Sequence, residues 1–348
     1  KKPKLSDWAS CPKNYVCLKL AYLGKNYHGF AVQDNVKTVE SELLNALMRV
    51  KFIEDRKTCN YSRCGRTDRG VSALGNAVAL QLRSRPNHPQ GEYDYLGVLN
   101  KVLPKDIRVT SIANVPVHFD ARFSCLYREY KYFFYIDDYD LPLMQAAAQK
   151  YVGLHDFRNF CKLDVVNTAN YKRRVISVSV ELQGSVVEAT IRGLSFLWHQ
   201  VRCMMAILML IGRRLETPGI IDRLFDVETV TAKPQYDMAP GETLVLFDCA
   251  FEHGTFVTNY DGHRHSTDIF KELWVEALNQ SAVYGAMLKK LDTIYRNSAP
   301  PCDIIQEPPS HIPILSRPTA FSYDQRVEAL KGRKAEQKAR NVLSHTQE

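Results

Sequence analysis

Along residues 16–251, hydrophobic periodicity switches repeatedly between the two-residue repeat of a strand and the three-to-four-residue repeat of a helix. Val16–Leu23, Asn76–Leu82, Ile107–Val115, Tyr127–Ile136 and Leu244–Phe251 read as strands. Arg174–Leu182 and Val186–Ile191 read as a hairpin turning at Gln183-Gly184-Ser185. Val36, Val39, Leu43, Leu47 and Val50 share one helical face, and Thr38, Ser41 and Glu42 offer capping groups near its start. Helices are also predicted over Glu92–Val102, Pro142–Val152, Ser195–Arg214, Pro218–Phe225 and Asp268–Tyr295, with Pro142 suited to a first turn. The strands come mixed with helices rather than in strict strand–helix–strand units. That order predicts an α+β (mixed α/β) fold with a mainly antiparallel sheet, not a doubly wound parallel one.

The punctuation divides the chain. Residues 1–14 are basic and irregular, 15–115 form a first half, 116–252 a second half, and 253–348 a helical extension with a basic tail. Ser84–Gly91 is a Pro/Asn/Gly linker, and Ala299–Pro318 is proline-rich and expected to be irregular. Lys331–Arg340 holds five basic residues against one acidic, a pattern more often a solvated tail than a binding site. A net charge of +8 on 348 residues is a mild excess that favours an anionic partner without specifying one. No apolar run reaches the ~20 residues of a membrane span. Nine cysteines are scattered singly, with no CxxC pair and no Cys/His ligand set. The expectation is therefore no metal, and reduced thiols in the nucleus or cytosol.

Three segments could carry chemistry. In Arg63-Cys64-Gly65-Arg66-Thr67-Asp68-Arg69-Gly70-Val71, two glycines permit a tight exposed turn that places Asp68 between Arg66 and Arg69. Neighbouring positive charge is expected to lower the carboxyl pKa, which suits a nucleophile or base. On spacing alone, an aspartate bonded to its own turn backbone accounts for the segment better. The second segment, Phe196–Met205, reads as a helix apolar on most faces, so Arg202 within it is expected to be buried and to need an anion. That anion could be a structural carboxylate, a phosphate or Asp68. His199, three residues earlier, reads as a core or phosphate-facing histidine. The third segment, Tyr127–Tyr135, puts Tyr130, Tyr132 and Phe134 on one strand face, mostly as core. A tyrosine at the edge of such a core can also stack on an unpaired base. Gly65–Gly70 lacks the Lys-Ser/Thr ending of a phosphate-binding loop, so no nucleotide or other cofactor is expected.

Taken together, these segments resemble the TruA-type pseudouridine synthases. Gly65–Val71 is similar to that family's catalytic motif, Tyr22-Leu23-Gly24 with Tyr27–Phe30 to its first motif, Ala121–Ser124 with Tyr130–Tyr132 to its central motif, and Phe196–Arg202 to its third. Ala148–Asn159 and His199–Met205 resemble the eukaryotic branch that modifies uridines 38 and 39 of the tRNA anticodon stem-loop. The resemblance spans roughly residues 15 to 252. It implies the pseudouridine synthase fold, two halves sharing a sheet around a catalytic cleft, and a homodimer acting on tRNA without cofactor or metal. It also implies roles: Asp68 as the catalytic carboxylate, Tyr130 as the ring stacking on the target uracil, Arg202 as the partner of Asp68, and Arg66 as the side chain replacing a flipped base. Ser72-Ala73 stands where bacterial members have His-Ala, Asn76 where Gln is usual and Trp198 where Tyr or His is usual. Neither Asn76 nor Trp198 is expected to touch the chemistry. The rival readings are a synthase for other RNA uridines, a non-catalytic tRNA-binding protein, and a glycosidase-like enzyme, which would require a second carboxylate not evident here.

Overall fold

A computed structural model describes residues 8, 10–89, 91–258, 260–298 and 311–345. β1 (Lys13–Tyr22) pairs antiparallel with β3 (Ser72–Arg83) on one side and β4 (Ile107–Asn114) on the other. β2 (Ser62–Arg63) adds two residues to β3. In the second half, β5 (Cys125–Tyr135) lies antiparallel to both β8 (Val186–Gly193) and β9 (Leu244–Phe251). β7 (Lys172–Gln183) forms the predicted hairpin with β8 and carries the short β6 (Gly153–Asp156) on its far edge. The halves join where β3 runs parallel to β9, with Ser72 opposite Val245 and Ala73 opposite Leu246. The result is one nine-stranded sheet, β4-β1-β3-β9-β5-β8-β7-β6 with β2 on β3, antiparallel at every pairing but that junction.

Each half has its own apolar core. α1 (Val39–Arg49) and α2 (Tyr95–Val102) bury Leu43, Leu47 and Leu99 with Leu18, Leu20 and Leu80 of the sheet. α3 (Leu141–Ala148), α4 (Gln200–Gly212) and α5 (Gly219–Phe225) bury Met144, Met204, Ile207 and Leu224 with Val187, Ala189 and Ile191. The seam follows the β3–β9 pair: Ala73 and Leu246 belong to the first core, Val71 and Leu244 to the second. Tyr130 packs against both.

Several boundaries move for physical reasons. β1 starts at Lys13, so the end of the supposed irregular lead-in is strand, paired with Arg83 and Leu82. Residues 1–7 and 9 lie outside the described residues. β3 begins at Ser72 rather than Asn76, because β1 and β9 both offer it partners there. α4 begins at Gln200 rather than Ser195: His199 takes φ +65°, a left-handed conformation that a continuing right-handed helix excludes. β6 is too short to show alternation in the sequence. α6 (Tyr260–Ser298) is longer than predicted, and α7 (Tyr323–His345) takes in the basic run, with Lys331 and Arg333 exposed. Of the proline-rich stretch, residues 299–310 lie outside the described residues, but Ile314 returns to the second core with no exposed surface. No helix among the described residues is long and apolar enough to cross a membrane.

One buried charge fixes the approach to the Asp68 loop. Glu40 in α1 has no exposed surface; both its carboxylate oxygens accept from Arg63 Nη1 at 2.6 Å, and one also accepts from Val32 N–H at 2.8 Å. Arg56 is the second cation, at 3.7 Å. Arg63→Ala strands a fully buried carboxylate, which ordinarily costs about 3–5 kcal/mol. With Arg56 remaining, a loss of about 2–3 kcal/mol is expected in denaturant unfolding. A loss under about 0.5 kcal/mol would mean that the pair contributes no more than a surface bridge.

Candidate active site

Asp68 stands in the loop from Cys64 to Val71 that links β2 to β3. Cys64 N–H donates to Ala77 O at 2.8 Å, and Val71 N–H closes a tight turn on Asp68 O at 3.2 Å, with Gly70 at φ +79°. That angle favours glycine. The loop is clamped from beneath. Phe30 N–H donates to Thr67 O at 3.0 Å, and a Cβ on Gly29, itself at φ +99°, would come within 2.7 Å of that same oxygen. Buried Asn76 holds both ends of Gly65: its Oδ1 accepts from Gly65 N–H at 3.1 Å and its Nδ2 donates to Gly65 O at 3.2 Å. Nδ2 also donates to Tyr22 OH at 3.1 Å, and that hydroxyl shares a 2.8 Å hydrogen bond with Thr67 Oγ1. Three buried side chains from three strand or loop segments thus fix the backbone on either side of Arg66. The direction of Asp68 follows from them.

The electrostatics are those of a partly dried carboxylate in a positive field. Burial pushes the Asp68 carboxyl above the ordinary aspartate value. Against it act the Arg202 guanidinium first, then hydrogen bonding from the Trp198 side chain, then Lys162 and Arg66. The expectation that flanking arginines leave a lowered pKa is therefore corrected, because desolvation outweighs them. His199 Nε2 lies 3.6 Å from Asp68 Oδ2. Burial, with Arg202, Lys162 and Lys233, holds that imidazole down to about 4. It is neutral at pH 7, so the contact is not an ion pair there.

The four residues singled out by the sequence are placed as follows. Tyr130 sits beside a bulge in the β5–β9 pairing, where strands commonly re-aim a side chain. Its ring stands edge-on to Phe196 at 5.2 Å, and its hydroxyl is raised by burial, with Asp68 among the charges acting on it. Arg202 is half-buried rather than fully buried, and its Nε donates to Ala239 O at 2.7 Å. No ion pair within 4.0 Å joins it to Asp68; it acts as a nearby charge instead. A Cβ on Gly241 would crowd Arg69 O at 3.1 Å, so that glycine lets its segment close on the loop backbone, with the Arg202 guanidinium carbon at an ordinary 3.6 Å. Arg66 is exposed at the rim. Two dismissed departures matter after all: Trp198 acts on the carboxylate, and Asn76 holds its loop. Lys162, with Nζ 4.0 Å over the Trp198 ring, carried no sequence signal because it lies far from any of the three segments.

Two outcomes follow from this geometry. Asn76→Ala leaves the Gly65 N–H and carbonyl without the partners it supplied, and Tyr22 OH with Thr67 alone, and is expected to destabilise by about 2–3 kcal/mol; unchanged denaturation would show that the loop holds itself. The unfolded His199 takes a proton near 6.5 and the folded one only near 4, so stability from its neutral form is full above 6.5 and lost as pH falls toward 4. His199→Asn, which tolerates the left-handed backbone, is expected to flatten that loss, by roughly 3 kcal/mol at most. An identical pH–stability curve for the variant would refute the neutral, desolvated ring.

Comparison with known proteins identifies the family. Residues 147–252 match the family described as tRNA pseudouridine synthase. The human tRNA pseudouridine(38/39) synthase is 41% identical over 317 residues, covering 83% of this chain and 66% of the human one. The Saccharomyces cerevisiae protein of the same name is 42% identical over 267 residues, covering 72% of this chain and 60% of its own. The tRNA pseudouridine synthase A of Methanothrix thermoacetophila is 37% identical over 279 residues, covering 79% of this chain and 97% of the archaeal one. The chain thus spans about two thirds of the length of the mammalian relatives it matches. With a nine-stranded, mainly antiparallel sheet and identity maintained over nearly all of the archaeal protein, the chain belongs to the tRNA pseudouridine synthase family.

Proposed function

We propose that this chain isomerises uridine to pseudouridine in tRNA, at positions 38 and 39 of the anticodon stem-loop, with Asp68 as the catalytic carboxylate. The observation that carries the reading is a single carboxylate, mostly withdrawn from water, on a rigid loop at the seam of two cores and inside a field of Arg202, Lys162 and Arg66. The choice of positions rests on the names of the human and yeast relatives. The reaction breaks the N1–C1′ bond, turns the uracil and joins C5 to C1′; the proton lost from C5 is balanced by one taken up at N1. An ionised carboxylate starts it either by attack at C1′ or by taking a ribose proton to give a glycal-like intermediate. Both routes favour an anion with little competing water.

A stacked stem hides the glycosidic bond, so the nucleotide must be extruded, at a cost of a few kcal/mol. Arg66, exposed two residues from Asp68, is the side chain assigned to fill the vacated stack, and Tyr130 the ring assigned to the uracil. The net charge of +8 supplies phosphate contacts that are indifferent to sequence. The dimer implied by the family resemblance draws support from α6. Beyond Ile269, Trp274, Ala277, Ser281, Tyr284, Leu288, Leu291 and Tyr295 recur at alternating three- and four-residue spacings. Trp274, Tyr284, Leu288, Leu291 and Tyr295 are each more than half exposed. A heptad seam left open to water fits a second copy of the helix.

The test is incubation of the purified protein with unmodified tRNA and no additives, followed by mapping of modified positions. Pseudouridine at 38 and 39 is expected, abolished by Asp68→Ala while tRNA binding persists within about threefold. Modification only elsewhere would overturn the site choice, and full activity in Asp68→Ala would overturn the catalytic assignment. Light scattering is expected to give a dimer that Leu288→Glu with Leu291→Glu reduces to monomer; an active wild-type monomer contradicts this.

A further inference from the structure

Three cysteine sulphurs converge at the root of the loop that carries Asp68. Cys64 immediately precedes Gly65, Cys125 opens β5 and Cys249 lies in β9, and their Sγ atoms all lie within 4.8 Å of one another. Cys64 and Cys249 are buried, and Cys125 is half-buried. The three are far apart in sequence, so no ligand spacing announces them. Beside them runs Arg128, only 7% exposed. Its guanidinium donates to the carbonyl oxygens of Leu194, Arg122 and Cys64 at 2.7, 2.7 and 3.2 Å, and no carboxylate among the described residues lies within 4.0 Å of it. Neutral carbonyls satisfy its hydrogens but not its charge, and a buried cation is costly until an anion balances it.

We propose that Cys64, Cys125 and Cys249 form a trithiolate site for one zinc ion. Three sulphur ligands exclude magnesium and calcium, which take oxygen, and favour a soft or borderline cation. Zinc held at about 2.3 Å by tetrahedral thiolates spaces the sulphurs about 3.8 Å apart, so the present cluster closes on the ion by about 1 Å or less. Charge selects the valence. Three thiolates and a dication leave one net negative charge, which Arg128 cancels; a monovalent cation leaves the buried cluster negative. No histidine or carboxylate among the described residues joins the group, so these residues supply three thiolate ligands. The bound ion ties the loop root to β5 and β9 across the seam of the two cores, so binding energy becomes folding energy.

The full chain, stripped with a chelator under reducing conditions, is titrated with Co²⁺ and then with Zn²⁺. One equivalent of Co²⁺ is expected to produce thiolate-to-metal charge-transfer absorption in the near ultraviolet with the visible bands of a tetrahedral ion. One equivalent of Zn²⁺ is expected to erase both and to raise the melting temperature by several degrees. Cys125→Ser and Cys249→Ser are expected to weaken binding at least tenfold, while Cys11→Ser, outside the cluster, leaves it unchanged. The proposal is overturned if the wild-type chain gives no such band, whatever the variants do. It is equally overturned if the band survives both serine variants, or if two of the three thiols are found joined as a disulfide that excludes the metal.

Discussion

The competition between desolvation and positive charge at Asp68 governs the rest of the molecule. Withdrawing a carboxylate from water makes it a stronger base and a better nucleophile, but it also favours the protonated, inert form. Here burial wins on balance, and Arg202, Lys162 and Arg66 limit how far. Burial, with Arg202, Lys162 and Lys233, keeps His199 neutral against the carboxylate. A charged imidazole at 3.6 Å would compete for the anion that the chemistry needs. Arg202 acts on Asp68 from beyond ion-pair distance, with its own Nε bound to Ala239 O.

Holding such a group in place is the task of the fold. The loop from Cys64 to Val71 is set where the two cores meet, and each wall contributes a restraint: Gly29 and Phe30 from below, Asn76 and Tyr22 from the sheet, and Gly241 with Arg202 from the second half. The parallel β3–β9 pairing is the one exception in an otherwise antiparallel sheet, and it brings the β9 residues of the second half against the loop exit at Ser72. Gly29 and Gly241 are places where backbone approaches the loop backbone closely, at Thr67 O and Arg69 O.

How much of this was legible in the sequence depended on the range of the interactions. Periodicity is local, so β9 was read with its observed bounds and the Thr38–Ser41 capping box at the start of α1 was visible in residue types alone. The α+β class followed from element order. Edges set by distant partners were not visible: β3 begins early because β1 and β9 pair with it, and α4 begins late because one histidine turns left-handed. Of the residues that the fold gathers around the Cys64–Val71 loop, Asp68, Tyr130 and Arg202 could be singled out because each sits in a distinctive local string. Lys162 and the Cys64–Cys125–Cys249 cluster were not, since folding alone brings them together. The sign of the Asp68 shift was misread for a related reason: charges can be counted along a chain, but burial cannot.

The most direct test of the central claim is the pH dependence of single-turnover uridine isomerisation, compared between the wild type and Arg202→Gln. The rate is expected to fall on the acid side with a midpoint above the ordinary aspartate value of about 3.9. Removing the guanidinium, the largest force opposing the rise, is expected to move that midpoint further up, whatever happens to the maximal rate. An acid midpoint at or below the ordinary value in the wild type, or one unmoved by the substitution, would contradict the account of Asp68 as a desolvated carboxylate kept charged by its surroundings.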